Sequence, residues 1–397
     1  MQQQIFSPKK LLPQAISLAL LGSNFAYANE PEVENDSDVE IIEVTGFKRS
    51  LVTSIALKQD ATNFVETVSA EDIGKLPDVS IAESLSRLPG LAGQRVNGRA
   101  QVISIRGMGP DFTTTLLNGR QQASSGDNRA PEFDQYPSEL LNGAMVYKTA
   151  DASVVGMGLS GTVDLQTIRP LAHGEQTVAI NVRGEQNSLD AVNSDVDNKG
   201  VRASISYIDQ FFDGTLGLAL GYSHTDSPAN LRRSKAWWWE PQPDAVQGEG
   251  NDEALVLQGQ EVVGVSRQQI RDGFMAVVEW RPNDQLSAVL DTYYSKFDQV
   301  EHSRGVYWFS AGATGSEYLN PQFADFGGTT VVQSGVATNI DPVLRNDLNT
   351  RDDELFAVGL NVQANLGSWL ITADVSHSTS ERTEQVSETY AGLPSQD

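Results

Sequence analysis

From about Gln176 onward, large apolar residues return at every second position. Val178, Ile180 and Val182 alternate with Ala179, Asn181 and Arg183; Leu216, Leu218, Leu220 and Tyr222 alternate with Gly217, Ala219, Gly221 and Ser223. Phe356, Val358, Leu360, Val362 and Leu366 stand against Ala357, Gly359, Asn361, Gln363 and Asn365. Period two is the signature of strands with two unlike faces. About seven strands follow from it, near residues 176–186, 200–210, 214–224, 268–281, 284–298, 353–366 and 368–381. Their links alternate in length. Asp213-Gly214, Arg281-Pro-Asn-Asp284 and Gly367-Ser368 read as tight turns, and residues 187–199, 225–267 and 299–352 read as long polar loops. Short turns at one end and long loops at the other suit a membrane barrel, and Trp280 and Trp369 fall beside short turns, where an interfacial aromatic girdle belongs. A water-soluble sandwich also alternates, but has no reason to sort its loops.

Ahead of the strands the period changes. Ser69-Ala-Glu-Asp72 is a helix start, and Asp78 offers a second cap before Ile81, Leu85 and Leu88 at helical spacing. Pro89-Gly90 stops that helix. Residues 102–105 form a short strand ending in Arg106-Gly107-Met108-Gly109-Pro110, and Thr113–Leu117 runs into Asn118-Gly119, a strong hairpin signal. Pro137-Ser-Glu-Leu-Leu141 reads as a brief helix, with further strands at 144–148 and 162–167. The region around 69–170 is therefore a small α/β domain. Before it, Lys9-Lys10, an apolar run from Leu11 to Leu21 and Ala26-Tyr27-Ala28 read as a secretory signal peptide over residues 1–28. Residues 29–50 read as a flexible arm, acidic from Glu30 to Glu40, carrying the β-prone run Ile41, Ile42, Glu43, Val44, Thr45 and Gly46. Such a run can add as a strand to a partner's sheet edge.

Composition narrows the chemistry. The net charge of −24 argues against nucleic acid, whose phosphates need Lys and Arg. The absence of cysteine excludes thiolate metal sites, thiol nucleophiles and disulfides. Gly156-Met-Gly-Leu-Ser-Gly161 matches G-x-G-x-x-G but opens no helix, so it is read as flexible backbone. Asp195-Val-Asp-Asn-Lys-Gly200 resembles half a calcium loop with Lys199 in a ligand's place, and is read as a solvated loop. Asp111, Arg106 and Arg120 are candidates for ion pairs with one another or with wall charges. The Trp237-Trp238-Trp239 and Tyr307-Trp308-Phe309 runs lie in the long links, where aromatic clusters mark binding surfaces or pack loop on loop.

The runs LPDVSIAESLSRLPGL, VISIRGMGPDFTTTLLNGR and YPSELLNGAMVYKTADASVVGMGLSGTVDLQTIRP resemble the plug of TonB-dependent outer-membrane receptors, and the SAEDIGKLPD run resembles their Xanthomonas/Caulobacter-type branch. The resemblance implies an α/β plug domain over residues 51–170, followed over 171–397 by an incomplete antiparallel transmembrane β-barrel, the chain being an N-terminal fragment of the family's larger barrel. It implies an outer-membrane transporter and no enzyme, with no cofactor. Ile41–Gly46 would be the TonB box, and TonB with its energising complex, lipid and a small-molecule ligand the partners. Trp237, Trp238, Trp239, Tyr307 and Trp308, with Asp111 and Arg129 from the plug, are the candidate ligand-binding residues. An oligosaccharide is the expected ligand, a ferric siderophore the alternative, and a passive porin or adhesin a further one.

Overall fold

The computed structural model describes residues 58–59, 61, 63–69, 81–96, 99–126, 132–136, 140–154, 158–241, 253–309 and 317–392. The signal peptide, the flexible arm with residues 41–46, the helix start at 69–72, Arg129 and Gly156 are expectations that lie largely or wholly outside those residues.

The α/β domain is built on a mixed sheet of β1 (Val65–Ser69), β4 (Thr113–Leu117), β5 (Arg120–Gln121), β6 (Gly143–Tyr147) and β7 (Gly161–Gln166), in the order β1-β6-β7-β4-β5. Only β4 and β7 run parallel. Helix α1 (Ile81–Leu85) stops before Gly90, whose φ of 77° is left-handed and suits glycine. The hairpin of β2 (Leu91–Val96) and β3 (Arg99–Ile105) follows. Ile81, Leu85, Ile103, Ile105, Phe133, Val146, Val163 and Leu165 are wholly buried and form the centre of the core. The Asn118-Gly119 turn is as expected, with φ of 53° and 79°. Strands β1 and β2 and the short 3-10 turn Phe133–Gln135 were not among the expected elements. Of the helix expected from Pro137, residues 137–139 lie outside the described set.

After the short helix α2 (Pro170–His173), seven strands pair as an antiparallel meander. They are β8 (Thr177–Gln186), β9 (Lys199–Phe211), β10 (Leu216–Ala236), β13 (Gly259–Asn283), β14 (Leu286–Phe309), β17 (Asp341–Leu366) and β18 (Trp369–Ser387), with β19 (Tyr390–Gly392) continuing beside β17. All seven fall where period two places them, with the short turns at Asp213-Gly214, 284–285 and Gly367-Ser368. In the described sheet β8 and β18 are its two ends and do not pair with each other, so the barrel is open.

The long links need correction. Strands β10, β13, β14 and β17 run 21 to 26 residues, deep into stretches read as loop. Among the described residues of those stretches there is also a second sheet, β11 (Trp239–Pro241), β12 (Leu255–Leu257), β16 (Thr329–Thr338) and β15 (Glu317–Phe326). The physical reason is solvent. Beyond the outward apolar band both faces of the wall carry polar side chains, so the alternation fades while the backbone ladder continues.

The wall's outward residues form rows. Tyr222, Phe274, Tyr294 and Phe356 lie side by side on four successive strands. Near the short turns, Trp280 and Trp369 are exposed outward. Between the two levels, β17 presents Leu366, Ala364, Val362, Leu360, Val358 and Phe356. Ten residues at ~3.3 Å rise and ~40° tilt span about 25 Å, the height of a barrel's apolar band. Directly above the aromatic row the outward residues turn polar: His224, Asp272, Lys296 and Glu354.

Candidate functional site

The α/β domain is fastened to the inward face of the wall at two heights. The lower fastening is the turn at Asn118-Gly119. Arg120, its side chain 8% exposed, places Nη1 2.6 Å from Asp291 on β14 and Nε 2.8 Å from Asp374 on β18. Between those strands lies β17, and there Gly359 leaves the space the guanidinium fills: a Cβ at Gly359 would stand 2.0 Å from Arg120 Nη1. Asn118 Nδ2 also donates to Asp291, at 3.1 Å. Burial of Arg120 opposes its charge, but the two carboxylates more than offset this and hold it protonated. The expected pairing of Arg120 with wall charges is thus observed, while Arg106 and Asp111 are exposed.

The upper fastening joins the turn Phe133–Gln135 to β17 and β18. Glu132 pairs with Arg351 and with Arg382, the latter at 2.7 Å, and Asp353 accepts from both arginines and from Gln135. Tyr293 stacks on Tyr136 with centroids 5.3 Å apart and donates its hydroxyl to Gln135 O at 2.8 Å. Beside this fastening lies a cavity of about 790 Å³, lined among others by Asp111, Phe112, Gln122, Ser124, Glu132 and Leu159. Asp111 therefore borders an open space against the α/β domain. The inward face carries further paired charges: Arg202 with Glu185, Arg233 with Glu261 and Arg267 with Glu301.

At the end of the wall far from the short turns, the two aromatic runs meet. Trp237 lies 6.1 Å from Trp238, nearly parallel, 5.4 Å from Tyr307 edge-on and 4.5 Å from Phe309. Gly259 gives it room, since a Cβ there would stand 3.0 Å from the indole. The Arg345 guanidinium sits 4.9 Å from the Tyr307 ring and 3.7 Å from that of Tyr390, and pairs with Asp347 at 2.7 Å and Glu388 at 3.0 Å. Of the candidates, Trp237, Trp238 and Tyr307 thus come together. Trp308 falls on the opposite face, donating to Gln260 at 3.3 Å, and Trp239 is a residue of the separate sheet. Asp111 belongs to a different place. Phe309 could have been found from its position two residues beyond Tyr307. Arg345 and Tyr390 required the register of β17, which no local pattern carries.

Two carboxylates of the α/β domain have opposite environments. Burial raises Asp164, on β7, to about 6, although the Gly119 amide works against this. Burial acts on Glu66 in the same sense, but the ammonium groups of Lys58 and Lys148 draw it below the usual carboxylate range. At Asp195 in the candidate calcium loop, Arg304 is the partner.

Residues 57–163 match the TonB-dependent Receptor Plug Domain family. The ferric enterobactin receptor PirA of Pseudomonas aeruginosa is 30% identical over 42% of this chain and 25% of its own length. The probable TonB-dependent siderophore receptor PirA of Acinetobacter baumannii is 25% identical over 39% of this chain and 23% of its own length. The crystal structure of the siderophore receptor PirA from Acinetobacter baumannii superposes with a TM-score of 0.37 at 13% identity, covering 84% of this chain and 59% of that one. The chain thus spans less than two thirds of the length of these relatives, and none of these matches carries the assignment to the Xanthomonas/Caulobacter-type branch. Residues 57–163 are thus similar to the plug domain of TonB-dependent receptors, and the strands after them form an open, mostly antiparallel barrel wall.

Proposed function

We propose that this chain is the plug and opening wall of an outer-membrane receptor that takes up a ferric siderophore, energised through TonB. The observation that carries the reading is the plug's double ionic fastening inside an inside-out wall, at Arg120 and at Glu132. A protein that only needs a pore has no use for a fastened obstruction. TonB would take residues 41–46 as an added strand and pull on the plug. The ligand class moves from the expected oligosaccharide to a siderophore for two reasons. The curated relatives are siderophore receptors. The mouth also exposes the rings of Trp238 and Tyr390, faces suited to stacking on an aromatic iron chelate, while Arg345 beside Tyr390 is buried and paired with Asp347 and Glu388. Deletion of the gene is expected to slow growth when iron is available only as a catecholate siderophore, and to leave growth on oligosaccharides unchanged. The reverse pattern would overturn the siderophore and restore the sugar. That second reading is favoured by the near-parallel Trp237–Trp238 pair, whose flat faces suit pyranose rings. Val44→Pro, which removes an amide from the added strand, is expected to abolish uptake; unchanged uptake would favour the passive porin.

A further inference from the structure

Strand β1 is the first described strand after residues 41–46, and it is the edge of the plug sheet, paired on one side only, with β6. Its pairing begins at Val65 opposite Tyr147 and ends at Ser69 opposite Gly143. A load arriving along the chain from the N-terminal side therefore reaches the Val65 end of the ladder first. Side-chain fasteners are concentrated at that end. Asn63 Nδ2 donates to Asp151, the Phe64 amide to Thr149 Oγ1 at 3.0 Å, and the Lys148 amide to Phe64 O at 2.8 Å. Glu66 lies between Lys58 Nζ at 2.6 Å and Lys148 Nζ at 3.1 Å. Both Glu66 and Lys148 are buried, and Lys148 also donates to Pro89 O, at the corner between α1 and β2. The carboxylate thus ties the loaded strand, through one ammonium group, to the part of the plug that holds the α1 and β2–β3 core. The other side of the same sheet is held by Arg120, which grips the wall.

We propose that the Glu66–Lys148 pair is the latch of the force-bearing edge strand: it keeps β1 on the sheet at rest, and its rupture frees β1 while β4 and β5 stay anchored to the wall. The proposal rests on the TonB-coupled reading for the source of the force, but the latch itself is testable without TonB. Amide hydrogen exchange on the whole chain in detergent micelles provides the measurement, comparing Val65–Ser69 with Thr113–Leu117. Glu66→Gln and Lys148→Met are each expected to speed exchange in β1 at least tenfold and to leave β4 within twofold of the parent. Glu66→Asp, which keeps the charge, is expected to recover part of the protection. Unchanged exchange in β1, or equal acceleration in β4, would overturn the latch and would leave the transport reading untouched. Loss of uptake in the Val44→Pro variant bears only on the latter.

Discussion

The plug and the wall are built from the same residue types turned in opposite directions. In the plug, Ile103, Ile105, Val163 and Leu165 face inward and are wholly buried, and the charges keep to the rim or meet the wall. In the wall the apolar residues face out, with Val178, Ile180 and Val182 at 61–71% exposure, and the buried side holds Arg202, Arg267, Gln269 and Arg271. The rule is the same in both: each face matches the solvent next to it. On the proposed reading that solvent is hydrocarbon for the wall's outer band, and for its inner face it is water and a polar plug. Where plug and wall touch, the two logics collide, and buried arginine–carboxylate pairs resolve the conflict.

The seam is where the comparison breaks most easily. Arg120→Met leaves Asp291 buried with only Asn118 to donate to it and no opposite charge, and is expected to destabilise plug against wall by about 3–5 kcal/mol, the range for breaking one side of a buried pair. Denaturant unfolding in micelles, followed at the plug, would show it, and Gly359→Ala is expected to act the same way by filling the guanidinium's space. Next in size is the outer band. Leu290→Arg is expected to cost roughly 2–4 kcal/mol in lipid vesicles, as for a charge near the bilayer midplane. A far smaller effect in micelles, whose charged side chain reaches water more readily, would sharpen the contrast between the two solvents. At the mouth, Trp237→Ala removes three aromatic contacts and is expected to weaken ligand binding by about 1–2 kcal/mol, measured by quenching of the remaining tryptophans.

The smallest effect lies inside the plug. Asp164 sits near 6 in the fold and at its ordinary value of 3.8 when unfolded, so the folded state binds the extra proton between those values. Stability therefore rises as pH falls from 7 to 5, by about 1 kcal/mol, and is lost again as pH rises through 6. Glu66 has the opposite sign: its contribution is complete above its ordinary value and disappears as pH falls through its lowered one. In Asp164→Asn the gain between pH 7 and 5 is expected to shrink by about 1 kcal/mol relative to the parent, read as a smaller rise of the unfolding midpoint across that range.

The legible parts of this molecule are those in which one local rule decides. Period two placed all seven wall strands because the wall's two faces meet unlike surroundings, and Asn118-Gly119 announced its turn through two left-handed residues. The upper lengths of β10, β13, β14 and β17 escaped detection, since a ladder that stands in water on both faces carries no hydrophobic period. At the mouth, the tryptophan run was conspicuous. Its grouping with Tyr307, Arg345 and Tyr390 depends on pairing between strands far apart in sequence, a property of register. Arg120 was recognised as a charge in search of a partner, but only the bare Gly359 opposite explains how a guanidinium can cross a strand.

The overshoot of the strands has a consequence for how a ligand travels. Above the row of Tyr222, strand β10 continues for fourteen residues to Ala236, which at ~3.3 Å rise and ~40° tilt is about 35 Å. On the proposed reading, capture at Trp237 would then take place in a tall vestibule well above the apolar band, and a bulky hydrophilic cargo would not need to brush against lipid on its way in. Descent from that rim to the plug would then be a separate stage, lined by matched positive and negative side chains that favour no single sign of charge and so give a bound molecule little reason to linger.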